Sequence, residues 1–458
     1  MVILLFCIIL SVLFSAHPVL ILISLLSLYI SFKLFWRKDE PKIIFFGLIL
    51  WWLSVTIKIF YADLGGFDYE SLSISKNIVF TTYISLLGFN IFSIGLWVAI
   101  KNLKINEEKI LDLYNKPINF RMVIFVYLIV SALYTSLKSF VFHFPGFAQL
   151  FAGFLQMKLG FLFMIIFYSF RTKKYINLVL IIILFEVFLS FFSYFASFKD
   201  IIFTALIAAS IFPVKFSLKR IVILSGLLFA LGYLIFTWQA VKEEYRKYLS
   251  GGERAQKIVV TRREAINKLL ELSVRLNDVN NDKIRKIVFY RTIDRLSYIE
   301  FFSQAIDNVP IKIPYENGEL WLRNITHIFT PRILFPKKES IDDSKMVNKY
   351  ATIKVSTSKQ GGSFSLGFMA ESYIDFGPVL MFIPIFFVGW LLGFIYKMII
   401  VQSINYLWAY TMVLPLWVNI FCNGTPGSKI LGWIIMYYIA FIIVKFTLMK
   451  PIDKYITV

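Results

Sequence analysis

The sequence predicts an all-α polytopic membrane protein, with about twelve transmembrane helices and one large, partly helical loop domain outside the bilayer. Three observations carry that prediction. Of 458 residues, 58% are hydrophobic and only 17% charged, against roughly 45–50% and about 25% in an ordinary soluble domain. The apolar excess falls in runs of roughly 18–22 residues, the length that crosses a ~30 Å hydrocarbon core. Many of the lysines and arginines gather in short loops that alternate with loops lacking them, the bias that orients membrane helices.

Taken in order, Met1–Ser15 and Pro18–Trp36 read as two short spans broken at His17-Pro18, because the residue before a proline avoids the helical region. The first run has no basic leader and no small-residue cleavage site, and reads as a retained span. The basic loop Arg37–Lys42 predicts the cytoplasmic side. Ile43–Tyr61 crosses outward to Ala62–Ser75, which holds Asp63, Asp68 and Glu70 but no lysine or arginine. Ile78–Ile100 returns to the basic loop Lys101–Arg121. Met122–Phe140, Ala148–Phe170, Tyr175–Phe195, the brief Ile201–Phe212 and Ile221–Trp238 complete an N-terminal membrane region over 1–238, about nine spans in all. Val379–Tyr396, Tyr406–Phe421 and Ile430–Val444 form a C-terminal membrane region within 377–458, ending in a tail with Lys445, Lys450 and Lys454. Both termini are then cytoplasmic, and only helices suit runs of this length in lipid. Lys138, Lys158 and Glu186 lie deepest in these runs and are expected to face a cavity or pathway.

The formal charge of +20 points to loop orientation rather than to nucleic acid. Cys7 and Cys422 lie in or beside apolar runs, without metal-ligand spacing and with no disulfide framework.

Between the two membrane regions lies 239–376, a soluble segment with 23 Lys and Arg against 17 Asp and Glu. Its basic surface reads either as a solvated domain of ion-paired helices or as an electrostatic site for phosphate or a lipid surface. Ile258 to Val274 and Ile284 to Ile299 have helical spacing. On the second, Arg291, Arg295 and Tyr298 stand at i, i+4 and i+7. Two forked guanidinium groups a turn apart suit a diphosphate and a tyrosine beside them suits a sugar; the bland alternative is a surface stripe paired with Asp294 and Glu300. Arg323, His327 and Arg332 follow in Trp321–Lys338, a stretch expected near the membrane surface, its lysines against headgroups. His327 suits a general base near neutral pH, or is simply structural. Ser363 or Ser365 is expected to cap a helix that reaches Phe376 before Gly377-Pro378. Glu371 and Asp375 share one face of it, either as functional carboxylates or as interfacial ones matched to lysines. No P-loop, G-x-S-x-G, zinc-deaminase motif or Asp-x-Asp pair is present, which argues against ATP-driven transport and against metal- and nucleotide-sugar-dependent transfer. No metal and no cofactor are expected.

The stretch Ser363-Phe-Ser-Leu-Gly-Phe-Met-Ala-Glu-Ser-Tyr-Ile-Asp-Phe-Gly377, set after a large loop and before the last spans, resembles the bacterial oligosaccharide repeat-unit (O-antigen, Wzy-type) polymerase family. The run Pro331-Arg332…Phe335-Pro336-Lys337 looks similar as well. The resemblance implies a GT-C-like glycosyltransferase of the bacterial cytoplasmic (inner) membrane, its large loop on the periplasmic side. It implies transfer of one undecaprenyl-diphosphate-linked oligosaccharide onto the non-reducing end of another, with a chain-length regulator as partner. Chemistry then makes Arg291, Arg295, Arg323 and Arg332 the diphosphate-binding candidates and His327 or Glu371 the base. Tyr298, Tyr373 and Asp375 are the sugar-binding candidates. An O-antigen ligase-type transferase uses the same donor with a lipid A-core acceptor. A flippase predicts no long external domain, and a non-enzymatic anchor predicts that Arg291→Ala and Arg295→Ala leave glycan length unchanged.

Overall fold

The structure is a computed structural model that describes residues 15–457 apart from 38–39, 104–116, 142–147, 192–197, 213–217, 253–257, 279–281, 331–334, 336, 339–340, 358–362 and 419–423. The expected span Met1–Ser15 therefore lies almost wholly outside the described residues, as do Arg332, Cys7 and Cys422. Among the described residues the chain is helical and forms no strand.

Among the described residues six helices are long and apolar enough to cross a membrane, at 18 to 30 residues. They are α1 (Pro18–Phe35), α2 (Ile43–Gly65), α3 (Ile78–Ile100), most of α5 (Ala148–Thr172), α15 (Phe382–Gln402), and α17 (Gly427–Val444) with its continuation through α18 (Lys450–Ile456). The expectation of about twelve is met only in part. α6 (Ile176–Ser190), α7 (Phe198–Ala209) and α16 (Tyr406–Val418) have 15, 12 and 13 residues, which at 1.5 Å per residue rise only about 18–23 Å. α4 (Phe120–Val141) and the 32-residue α8 (Leu218–Leu249) are longer. α8 runs on past Trp238 without a break, so the boundary expected there is mid-helix.

Glycine sets how closely the bundle packs. A Cβ at Gly389 or Gly95 would collide with the backbone carbonyl of Phe92 or Phe386, and one at Gly393 would lie 2.7 Å from the Leu96 carbonyl oxygen. Gly389 and Gly393, four residues apart on α15, thus form a small-residue seam against α3, the means by which helices approach closely where no hydrophobic force separates helix from lipid. Gly160 of α5 meets the Thr411 carbonyl of α16 in the same way.

The deep charges pair with each other. Lys158 of α5 and Glu186 of α6 lie 2.6 Å apart, and Tyr127 and Ser131 of α4 donate to the same carboxylate. These contacts join three helices. The side chain of Lys138 lies outside the described residues.

The segment expected to be soluble forms α9 (Arg262–Asp278), α10 (Asp282–Leu296), α11 (Glu300–Asn308), α12 (Glu319–Phe329), α13 (Asp343–Tyr350) and α14 (Phe368–Leu380). α9 opens on a reciprocal cap between Thr261 and Glu264, the Thr-x-x-Glu arrangement that satisfies first-turn amides. Lys58, fully buried on α2, reaches Asp294 at 2.9 Å and Glu300 at 2.7 Å. Glu300 also accepts from Ser73 and from the Ile74 amide, and Asn77 donates to Asp307. The 66–77 loop and the soluble segment therefore sit at one end of the bundle. At the other end Arg37 donates to the Ile100 carbonyl.

Candidate functional site

The site is built where α12 and α14 meet the first turn of α17. Gly377, at φ 70° and ψ −174°, breaks α14 in the left-handed region that favours glycine, and Pro378 follows. The helix thus stops where the sequence predicts. Its start differs: neither Ser363 nor Ser365 caps it. The helix begins after Gly367, with the Phe368 amide donating to the Thr425 carbonyl at 2.9 Å.

Glu371 is buried, 5% exposed. Its Oε2 accepts from Asn324 Nδ2 and from the Gly427 amide, both at 2.8 Å. Gly427 is the first residue of α17, so this carboxylate closes the positive end of a span. Burial pushes Glu371 up to about 7; the Gly427 and Asn324 hydrogen bonds pull the other way, Asp343 adds to the rise, and Arg323 opposes it. Asp375, one turn on, accepts from the Leu320 and Trp321 amides at 3.1 and 2.8 Å. It closes the N-terminus of α12, and burial again pushes its carboxyl up. Among the described residues neither carboxylate is matched to a lysine, the bland alternative above. Trp321 Nε1 donates to Ser372 at 3.0 Å, which locks α12 to α14 between the two caps. Lys429 pairs with Asp343 on the far side of the junction.

Arg323 is exposed on α12, with one guanidinium nitrogen 3.1 Å from Met346 Sδ. His327 stands one turn further along the same helix, half-buried, its backbone carbonyl accepting from Lys338. Tyr373 faces away from this centre, toward α11, and its hydroxyl donates to the Val309 carbonyl at 3.2 Å. Arg291 and Arg295 are exposed on α10, and among the described residues neither has an ion-pair partner, because Lys58 occupies Asp294 and Glu300. Arg295 faces α8: burial, then Arg295 and Arg246, pushes Lys242 down to about 7. α10 ends at Leu296, so the i+7 alignment expected of Tyr298 does not form. Tyr298 instead covers the turn before α17, where a Cβ on Gly424 would collide with its ring.

The structure thus gathers Glu371, Asn324 and Gly427 at one point, with Arg323 on the exposed side of α12 and Tyr298 against the 424–427 turn, and sets Arg291 and Arg295 on a separate helix. Asn324, Gly427 and Gly424 are absent from the sequence-based candidates. The Gly424-Thr425-Pro426-Gly427 run is a strong turn signal and was the available clue. Among the described residues no cluster of His, Cys, Asp and Glu is arranged to hold a metal ion.

A family model described as a domain of unknown function (DUF8712) matches residues 43–451. The chain belongs to the DUF8712 family. That match begins after α1 and takes in the rest of the bundle, residues 239–376 and every residue of the junction just described. No curated protein and no solved structure matches the chain. For this DUF8712 protein, then, function is argued from the site.

Proposed function

We propose that this DUF8712 protein is a polysaccharide polymerase of the bacterial cytoplasmic membrane. It transfers an undecaprenyl-diphosphate-linked oligosaccharide onto the non-reducing end of a second lipid-linked repeat unit, on the periplasmic side. The observation that carries the reading is that Arg323 and His327 lie on the outward side of the helix whose Asn324 holds a buried Glu371 at the very end of a span, where a headgroup attached to a membrane lipid has to be handled.

In this reading the acceptor hydroxyl oxygen attacks the anomeric carbon of the donor. The bond from that carbon to the diphosphate oxygen breaks, and its electron pair leaves with the lipid diphosphate. Arg323 meets the developing charge from its exposed position on α12, a role for which a forked, permanently charged donor is suited. His327, half-buried on the same helix, takes the hydroxyl proton. Glu371 is too enclosed to reach an acceptor and acts by holding α12, α14 and α17 in register. Arg291 and Arg295 bind the second lipid diphosphate from α10. A membrane-bound chain-length regulator is the expected partner.

The test supplies the purified protein in vesicles with lipid-linked repeat units, chelator and no nucleotide sugar. A ladder of glycan lengths is expected, lost in Arg323→Ala and His327→Ala. Single transfer to lipid A-core would make the protein a ligase, and unchanged repeat units with every acceptor would end the reading.

A further inference from the structure

α12 has three faces, and only two of them are accounted for by the fold. At about 100° per residue, Leu320, Trp321, Asn324 and Ile328 point into the protein and are buried. Glu319, Arg323, Thr326 and His327 form a polar side. Between them runs a third edge of Leu322, Ile325 and Phe329, which are 63%, 41% and 72% exposed. Apolar side chains on the free side of a soluble helix are ordinary singly, but three in register along one edge mark an interaction surface.

What covers that edge follows from where α12 sits. Asn324 and Trp321 pack on Gly427, the first residue of the last span: a Cβ there would lie 2.6 Å from Asn324 Nδ2 and 3.3 Å from the Trp321 ring. α12 therefore crosses the end of a membrane helix. α15 turns Ile383 and Phe387 outward, 53% and 58% exposed, with Val379 and Leu380 just before it at 75% and 55%, so lipid-facing surface begins at the same level. Charge follows the same division. Arg323 lies on the polar side, Lys338 is tied back to the His327 carbonyl, and Lys337 is exposed, a border of cations where anionic headgroups would lie.

We propose that α12 is an interfacial helix whose Leu322–Ile325–Phe329 edge lies among the phospholipid acyl chains of one leaflet, with Arg323 and Lys337 at the phosphate level. Such a helix lies in the plane of the membrane surface, its apolar edge sunk to the headgroup–acyl boundary. The partner is bulk lipid, and the placement is independent of the sugar chemistry proposed for the junction.

The experiment places a nitroxide label, one site at a time, at Glu319, Leu322, Ile325, Thr326 and Phe329 of the full chain, with Cys7 and Cys422 replaced by serine. The protein is reconstituted in nanodiscs of phosphatidylethanolamine and phosphatidylglycerol. Collision with oxygen, which concentrates in acyl chains, is compared with collision with a water-soluble nickel complex. A label at Phe387 supplies the lipid reference and one at Glu70 the aqueous reference. All five α12 positions are exposed, so labelling leaves the packed face intact. Oxygen should dominate at Leu322, Ile325 and Phe329, and nickel at Glu319 and Thr326, a phase that only a helix lying in the interface produces. Nickel dominating at all five would place α12 in water. Low collision with both reagents at the apolar edge would mean that a second protein surface covers it. Either result overturns the proposal.

Discussion

Glu371 and Asp375 stand one turn apart on α14, yet each carboxylate holds the first turn of a different helix. Glu371 closes α17, a span, through the Gly427 amide. Asp375 closes α12, in the soluble segment, through the Leu320 and Trp321 amides. A helix N-terminus carries unpaired amides and a partial positive charge, so a buried carboxylate is a suitable partner for each. The Glu-x-x-x-Asp spacing is therefore a staple between the soluble segment and the bundle.

The staple predicts a stability cost at Asp375. Asp375→Ala leaves two first-turn amides of α12 buried without an acceptor. Loss of a capping side chain costs about 1–2 kcal/mol, and Asp375→Asn, which keeps an acceptor, should cost less. Thermal unfolding in detergent, followed by the fraction remaining monodisperse, should rank wild type above Asn and Asn above Ala. Equal midpoints for all three would show that the cap contributes nothing.

Glu371 predicts a pH dependence with a definite sign. Its carboxyl is pushed from the usual 4.5 up to about 7. Below 4.5 it is protonated folded and unfolded, and contributes nothing. Between those values the folded protein keeps a proton that the unfolded chain has released, so stability falls as pH rises through the window, then stays level above it. Glu371→Gln removes that slope while leaving an oxygen for Gly427 and Asn324. The difference between wild type and Glu371→Gln should therefore widen from pH 5 to pH 7, by at most about 3 kcal/mol, and remain constant at higher pH. Parallel curves across the whole range would refute the raised value.

The two carboxylates also show what was legible beforehand. Their shared face and the end of their helix at Gly377 follow from local spacing and from glycine and proline chemistry. Their partners do not. Gly427 and Leu320 lie 56 and 55 residues away along the chain from the residues that hold them, and no local pattern encodes which helix ends meet. The same limit explains Arg291 and Arg295. A face of two arginines beside Asp294 and Glu300 reads as self-paired until Lys58, 236 residues away, takes both carboxylates. Span number is only partly legible, for another reason. Apolar composition marks burial in lipid and burial in protein alike, and α16, buried from Leu407 to Val418, is enclosed by protein along that stretch.

Lys58 predicts a large loss from a single change. Its ammonium is fully buried between Asp294 and Glu300, and the Glu300 side chain is itself only 11% exposed. Burial raises Glu300, but the Lys58 charge and the hydrogen bonds from Lys58, Ile74 and Gln304 more than offset it and hold its carboxyl below the usual range. Lys58→Met leaves that carboxylate buried and unpaired, at a cost of about 3–5 kcal/mol. Adding Glu300→Gln should restore much of the folded yield, because the group left behind is then neutral. If the double variant is no better than Lys58→Met, the ion pair is not what joins α2 to α11.

The last prediction concerns Tyr298 and Gly424, which meet across the turn that delivers the chain to α17. A methyl group on Gly424 would occupy the space of the Tyr298 ring, which projects from the short link between α10 and α11. Overfilling a packed site of this kind costs about 1–3 kcal/mol. Gly424→Ala should therefore destabilise the protein clearly, and should displace Gly427 from Glu371 as the turn shifts. Removing the ring removes the conflict: in a Tyr298→Ala background, the same Gly424→Ala change should cost little. The coupling between the two, measured as a double-mutant cycle of unfolding midpoints, should be about 1–2 kcal/mol in the favourable direction. Simple additivity would mean that the turn moves away from the ring without resistance, and that Tyr298 plays no part in placing the first residue of the last span.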